Sequence, residues 1–281
     1  MKRAWSWALL AAAGAALGVG ASLLQDRTTV VRASPLFSLR EGSRLLADGR
    51  LEAGRVVKSG RLAAEVSKRA SRALSAIPNE LRPSLVVVDV EPRYGATVPP
   101  VAQLAYLRTS GSLVVGSAGE AASQAVWLHE LAHVRLAGAR PKGAIAQRLV
   151  DAIEEGIADY FAAALGGDAV VGSGGAQRDL RQPPPASASE WASLALEGVG
   201  THRMGWRLAA RLYERDAQGG SLLRDAVACL DGDSGLGAAP ETPAGVVDAF
   251  LQACPEAGRA RLAGILSEWL PLELMTPEIP T

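Results

Sequence analysis

The fold of this chain is decided by nine residues, Val126-Trp127-Leu128-His129-Glu130-Leu131-Ala132-His133-Val134. On a helix, side chains four residues apart lie one above the other, so His129 and His133 can present two imidazole nitrogens to a single metal ion. Glu130 is one position round from His129, where a carboxylate can act as a general base without binding the metal. The stretch therefore predicts a metal-binding helix with a base beside it.

The flanking residues predict where this helix begins and ends. Ser117 and Glu120 have the three-residue spacing of a capping box, in which each side chain satisfies a backbone N–H of the first turn. Gly138 followed by Pro141 is typical of a helix stop. These signals predict a helix over residues 119–137.

A second motif, at residues 153–161, follows at a distance that suits two packed helices joined by a turn. Zinc in catalytic sites takes three protein ligands and leaves one position open, so Glu155 is predicted as the third ligand. Asp159 lies four residues on, where it can accept the free ring N–H of a ligating histidine. Glu154 is assigned to a solvated face, and Gly156 is predicted to let this helix approach the first one closely.

An ordinary structural role has to be weighed against this interpretation. Two histidines on an alanine- and leucine-rich helix can be packed and hydrogen-bonded core residues without any metal. The second motif, with its carboxylates at helical spacing, favours the zinc site.

The two motifs, His-Glu-Leu-Ala-His and Glu-Gly-Ile-Ala-Asp, resemble those of the gluzincin zinc metallopeptidases, most of all the thermolysin and fungalysin branch. The resemblance implies an α+β fold: a zincin-type small mixed sheet, an active-site helix, a ligand helix and a mainly α-helical C-terminal part. It also implies one zinc ion per chain, held by His129, His133 and Glu155, with Glu130 as the general base.

Two later segments also resemble that branch. Residues 176–183 resemble the segment whose arginine binds the substrate carbonyl, which here is Arg178. Residues 198–210 resemble the segment whose histidine hydrogen-bonds the tetrahedral intermediate, which here is His202, with Glu197 as the residue that orients its ring. A lone histidine near a helix start is, however, more often a cap or a surface residue.

The chain departs from the family in one part of its oxyanion machinery. The family has a further tyrosine between the second histidine and the ligand glutamate, and residues 139–154 contain none. Tyr106 and Tyr213 are the candidates to replace it.

Strands are predicted ahead of the first motif, at residues 84–90, 105–107 and 113–115, from runs of β-branched and aromatic residues. By resemblance, residues 105–108 are the edge strand that binds the substrate backbone, although Leu104 precedes Ala105 where the family has an asparagine. Spacing of apolar residues predicts helices at 188–197, 202–217, 220–230, 243–253 and 256–269.

The N-terminus carries an export signal. A basic start, Met1-Lys2-Arg3, precedes an uncharged apolar run over residues 4–24. This pattern predicts a signal peptide or an N-terminal membrane anchor over residues 1–25, so that the rest of the chain lies in the periplasm, outside the cell, or on the outer side of a membrane. Two cysteines, Cys229 and Cys254, can then form a disulfide or remain as two buried thiols, and the sequence leaves both open.

After the export segment, the predicted organisation is a polar leader with a helix over 26–83, a zincin catalytic subdomain over 84–175 and a helical subdomain over 176–281. The formal net charge is zero, which gives no electrostatic reason to expect a nucleic-acid partner.

The predicted function is a zinc-dependent endopeptidase, active as a monomer on a peptide or protein substrate. Three alternatives stay open: a zinc amidase acting on cell-wall peptides, a catalytically idle zinc-containing envelope binding protein, and a structural envelope protein without zinc.

Overall fold

The structure is a computed structural model that describes residues 36–41, 44–50, 61–83, 85–90, 104–108, 111–115, 122–138, 140–141, 143–172, 177–185, 200–216, 221–230 and 242–270. The predicted export segment, the predicted helix at 188–197 and Glu197 lie outside these residues. Among the helices that are described, none combines the length and the apolar character needed to cross a membrane.

The described strands form a five-stranded mixed sheet with the order β2-β1-β3-β5-β4. The strands are β1 (Leu36–Glu41), β2 (Arg44–Arg50), β3 (Leu85–Val90), β4 (Leu104–Leu107) and β5 (Ser112–Val115). Strand β3 pairs in parallel with β1 and with β5, while β2 and β4 each pair antiparallel with their neighbour. The three predicted strands are confirmed, and β4 lies at an edge of the sheet.

Burial along the strands explains their places in the sheet. In the inner strands the side chains of Val86, Val88 and Leu113 are fully buried, as the runs of apolar residues require. In β4 only Leu104 is buried and the next three residues are partly exposed, which fits an edge strand. The β1–β2 hairpin was not predicted, because its charged and polar residues dilute the alternation that marks a strand.

Three helices follow or flank the sheet: α1 (Arg61–Ala76), α2 (Gln124–Leu136) and α3 (Ala144–Gly166). The predicted start of α2 is wrong. The helix begins after Ser123, whose side chain accepts a hydrogen bond from the backbone N–H of Val126 at 3.3 Å. Ser123 therefore caps the helix as a serine commonly does, and the predicted capping box of Ser117 and Glu120 lies outside the described residues.

Helix α3 is the centre of the helical layer. It is buried on most of its circumference, with 14 of its 23 residues buried. It ends at Gly167, which has a φ of 70° and donates its N–H to the carbonyl of Ala163 at 2.9 Å. This left-handed cap suits glycine because it has no Cβ to collide with the preceding turn.

The C-terminal part is helical, and each described helix there lies within two residues of its predicted span. These helices are α4 (Thr201–Arg215), α5 (Ser221–Leu230), α6 (Pro243–Ala253) and α7 (Glu256–Trp269). A short antiparallel pair, β6 (Val170–Val171) and β7 (Arg178–Asp179), lies between α3 and α4. A single hydrophobic cluster contains residues from Val66 to Leu270 and thus from all three segments predicted after the export signal. The fold is therefore α+β.

Cys229 and Cys254 form a disulfide that joins the end of α5 to the residue after α6. The bond closes a loop with a sequence separation of 25 residues.

We expect reduction of this disulfide to lower the free energy of unfolding by about 3.5 kcal/mol, because the reduced unfolded chain regains the entropy of that loop. Urea unfolding with and without a phosphine reductant measures this. The Cys229→Ala/Cys254→Ala double variant is the matched control and should not respond to reductant; equal stability of the natural chain in both states would contradict the prediction.

Candidate metal centre

Three nitrogen and oxygen donors converge between α2 and α3. The Nε2 atoms of His129 and His133 are 3.1 Å apart. Glu155 places Oε2 at 3.5 Å from the Nε2 of His129 and Oε1 at 3.4 Å from the Nε2 of His133. Glu130, with His129 and His133, also belongs to a group whose ligand atoms all lie within 4.8 Å of one another. These residues could hold a metal ion, and Glu155 points towards both imidazoles as predicted.

The size of this triangle can be compared with the geometry of a metal site. Zinc bound tetrahedrally by nitrogen and oxygen at about 2.0–2.2 Å requires its ligand atoms to lie about 3.3–3.6 Å from one another. The two nitrogens are 3.1 Å apart, and each lies 3.4 or 3.5 Å from a different oxygen of Glu155, so all of these separations are close to that value. In addition, the Oε2 of Glu155 is buried and has no hydrogen-bond partner of good geometry. The donor set and its spacing therefore fit a small divalent cation.

Asp159 and Arg178 hold the outer side of His129. The Oδ1 of Asp159 is 2.8 Å from the Nδ1 of His129, although the contact departs from linear hydrogen-bond geometry. Arg178 donates to both oxygens of Asp159, from Nε at 2.6 Å and from Nη2 at 2.7 Å. Asp159 thus occupies the position predicted for it. Arg178, predicted to bind the substrate carbonyl, is engaged with this aspartate.

Glu154 holds the outer side of His133, and its assignment to a solvated face is wrong. Its side chain is 1% exposed, and its Oε1 is 2.8 Å from the Nδ1 of His133. Arg108 donates to it from Nη2 at 2.6 and 2.7 Å, and Arg140 also donates to it from Nη2. Two consecutive glutamates on α3 therefore contact opposite nitrogens of one imidazole. No spacing rule in the sequence distinguishes Glu154 from an exposed glutamate.

The outer carboxylates decide where the imidazole protons lie. With Asp159 beside one Nδ1 and Glu154 beside the other, each neutral ring keeps its proton on Nδ1. Both Nε2 atoms then carry lone pairs, yet they face each other at 3.1 Å, with the Glu155 carboxylate beside them. These electron-rich atoms repel one another unless a proton on one Nε2 or a bound cation lies between them.

The charges around the imidazoles favour a cation. Burial alone lowers the pKa of His129, but Asp159 and Glu155 outweigh it and raise the pKa to about 9. Burial would raise the pKa of Glu155, yet His133, His129 and His202 hold it well below its usual range. The carboxylate is therefore ionised, and both histidines bind positive charge more strongly than in water. At neutral pH a divalent cation competes with protons for the same atoms.

Glu130 lies beside β4, which is an edge strand among the strands that the structure describes. Its Oε2 accepts a hydrogen bond from the backbone N–H of Tyr106 at 2.7 Å. Since this N–H donates to Glu130, it faces away from β5 and towards the edge where a further strand can add. The ring of Tyr106 is parallel to that of His133, with an angle of 8° and centroids 6.4 Å apart. Glu130 is thus fixed next to the strand predicted to bind a peptide.

His202 joins the other two histidines around Glu155. Its Nδ1 is 2.8 Å from the Oε2 of Glu155, and its side chain is 68% exposed, so it lies at the rim of the site. Of the two tyrosines proposed to replace the missing one, Tyr106 is near the imidazoles. Tyr213 instead lines a cavity of about 950 Å³ that also involves Asp216, beyond the end of α4. It lies 11 residues after His202, a distance of about 16 Å along a helix.

Close packing of α4 against α3 supports Glu155 from behind. A Cβ on Gly205 would lie 2.6 Å from the Cβ of Glu155 and 2.9 Å from the backbone nitrogen of Gly156. A Cβ on Gly156 would lie 2.8 Å from the Cβ of Leu208. The expectation that Gly156 faces the first motif helix is therefore wrong, because this glycine permits the approach of α4 and not of α2.

We expect Gly205→Ala to lower the free energy of unfolding by about 1–3 kcal/mol, because the added methyl group meets backbone and Cβ atoms that cannot move aside. The same collision should displace Glu155 and weaken metal binding. Gly264→Ala on α7 is the matched control, since a Cβ there meets nothing within 4 Å; helix propensity should leave that variant at least as stable as the natural chain. Urea unfolding of both variants tests this, and a Gly205→Ala variant as stable as Gly264→Ala would contradict it.

Comparison of the chain with models of known protein families, with curated proteins and with solved structures found no match.

Proposed function

We propose that this chain is a zinc-dependent endopeptidase of the gluzincin type. The observation that carries the proposal is the pair of imidazole Nε2 atoms that face each other at 3.1 Å, with Glu155 closing the triangle. His129, His133 and Glu155 would hold the ion. Nitrogen and carboxylate donors in this combination are typical of catalytic zinc, which keeps an open position. When bound, zinc supplies Lewis-acid chemistry that polarises a carbonyl group and acidifies water.

The position of Glu130 favours a hydrolytic enzyme over a protein that only binds metal. It is adjacent in sequence to a ligand, and one of its oxygens is fixed by the N–H of Tyr106. The other oxygen remains for the general-base role: it takes a proton from the attacking water and passes it to the leaving amine. The water oxygen first bonds to the carbonyl carbon and gives a tetrahedral oxyanion. The C–N bond breaks when this intermediate collapses and the amine takes up the proton from Glu130.

The edge strand β4 supports a peptide as the substrate. An extended chain can add to an open edge through backbone hydrogen bonds, which recognise any peptide irrespective of sequence. Because Glu130 accepts from the N–H of Tyr106, a peptide added at this edge would pass next to the base. This neighbourhood favours a peptide over a small molecule as substrate.

Arg178 and His202 support the oxyanion side of the reaction. Both side chains carry N–H groups and lie close to the proposed ligands. Arg178 donates to Asp159, which contacts His129, and His202 contacts Glu155 directly. In the proposed mechanism His202, exposed at the rim, donates to the developing oxyanion, while Arg178 keeps Asp159 in place beside His129. A lost donor of this kind typically reduces kcat by about 10²–10³-fold.

The test is hydrolysis of a mixed-sequence peptide library by the chain from residue 26 onwards, loaded with one equivalent of zinc. We expect internal peptide bonds to be cut, cleavage to stop after chelation with 1,10-phenanthroline, and activity to return with added zinc. Zinc binding without cleavage of any peptide would support an idle binding protein. Cleavage confined to cross-linked cell-wall peptides would support the amidase.

A further inference from the structure

One buried carboxylate connects three separate segments of the chain to the metal centre. Glu154, on α3, contacts the Nδ1 of His133 on α2 at 2.8 Å. It is also bound by Arg108, which directly follows the edge strand β4, and by Arg140, which lies between α2 and α3. Arg140 has a second partner, Asp151, with its Nε 3.2 Å from Oδ1.

A purely structural role is a poor explanation for this carboxylate. Moving a carboxylate from water into the interior costs several kcal/mol, and apolar residues of similar volume often serve stability equally well. The carboxylate is nevertheless 1% exposed, and two guanidinium groups compensate its charge. All three partners approach from different segments, so the carboxylate fixes their relative positions. The imidazole is the one partner that also contacts the candidate metal position.

The link to Arg108 has a consequence for substrate binding. Arg108 is the residue after the strand where a peptide is proposed to add, and its side chain is 37% exposed. A change in the position of β4 therefore moves a guanidinium that is bound to the carboxylate behind His133. The contacts Arg108–Glu154 and Glu154–His133 are 2.6 and 2.8 Å, so little movement can be absorbed between them.

We propose that Glu154 is a positioning residue of the metal centre: held by Arg108 and Arg140, it fixes the ring of His133 and ties this ligand to the end of the substrate-binding edge strand. The inference rests on the zinc site of the proposed function. It does not require that the site be catalytic.

The test is zinc affinity, measured without substrate by competition with a chromophoric chelator. We expect Glu154→Ala to weaken zinc binding by about 10–100-fold, the range found when a partner of a metal-bound histidine is removed. Glu154→Gln should lose less, because its amide oxygen still accepts from Nδ1. Glu214→Gln is the matched control: it makes the same exchange on an exposed glutamate of α4 that pairs with Arg211, and its zinc affinity should equal that of the natural chain.

Arg108→Gln tests the connection to the edge strand. This residue touches no imidazole, yet we expect a weaker zinc affinity and an altered absorption spectrum of the cobalt-substituted chain. Arg215→Gln, which breaks an exposed pair with Glu268, is its control and should change neither. Urea unfolding of the variants, after a chelator has removed the metal, distinguishes a positioning role from a structural one. A purely structural role would lower the free energy of unfolding and leave the zinc affinity and the cobalt spectrum unchanged.

The proposal is overturned if Glu154→Gln and Arg108→Gln bind zinc as tightly as the natural chain, with unchanged cobalt spectra, whether or not Glu154→Ala folds. A natural chain that binds zinc but cuts no peptide would remove the proposed function and leave this proposal in force. A natural chain that binds no zinc would remove both.

Discussion

Glu130→Gln is expected to lower kcat/KM for peptide hydrolysis by roughly 10²- to 10⁴-fold, the contribution of a positioned general base. The amide is nearly the same size as the carboxylate but cannot take up a proton from water. Its carbonyl oxygen can still accept from the N–H of Tyr106, so the neighbouring edge strand should keep its position. Zinc affinity should stay unchanged, because the three proposed ligands are intact.

The prediction is checked by measuring peptide cleavage with a matched control variant. Peptide cleavage is compared at saturating zinc between the natural chain, Glu130→Gln and Glu214→Gln, an exposed glutamate on α4 that pairs with Arg211. Glu214→Gln should retain full activity. If Glu130→Gln cuts peptides at the rate of the natural chain, Glu130 is not the base and the proposed mechanism is wrong.

Glu155→Gln is expected to weaken zinc binding by more than about 100-fold, since it removes a ligand and since loss of a supporting contact alone costs 10–100-fold. A neutral amide is a poor substitute for a carboxylate on zinc. The loss should also appear as stability: zinc at 100 times its Kd stabilises the natural chain by about 2.7 kcal/mol. The same zinc concentration should leave the variant almost unaffected.

Thermal or urea unfolding with and without zinc measures this linkage. Glu214→Gln, the same exchange at an exposed glutamate of α4, is the control and should respond to zinc as the natural chain does. Equal stabilisation of Glu155→Gln by zinc would mean that Glu130 or another carboxylate is the third ligand. That result would require a different assignment of the base.

The same pattern of contacts surrounds both candidate imidazole ligands. Each candidate imidazole ligand contacts Glu155 at Nε2 and a second carboxylate at Nδ1, Asp159 for one and Glu154 for the other. Each of these outer carboxylates is in turn bound by arginine. Orientation of the rings therefore depends on α3, which supplies all three carboxylates, while α2 supplies the rings.

The sequence by itself determined the parts of this protein that depend on local spacing. His129 and His133 share a helix face because four residues make about one turn, and Glu155 and Asp159 share one for the same reason. The C-terminal helices were likewise predictable, since apolar residues recur along each of them at helical spacing.

Only the tertiary structure decided that Glu154, next to the predicted ligand Glu155, is buried and supports the ring of His133, and that Gly205 lies against Glu155. It also decided that Ser123 caps α2, that Arg108 and Arg140 meet at Glu154, and that the two cysteines are joined. The physical reason is that these contacts join residues far apart in the chain. The distances between such residues depend on how the helices rotate and slide against one another when they pack, and the spacing of residues along the chain does not determine this.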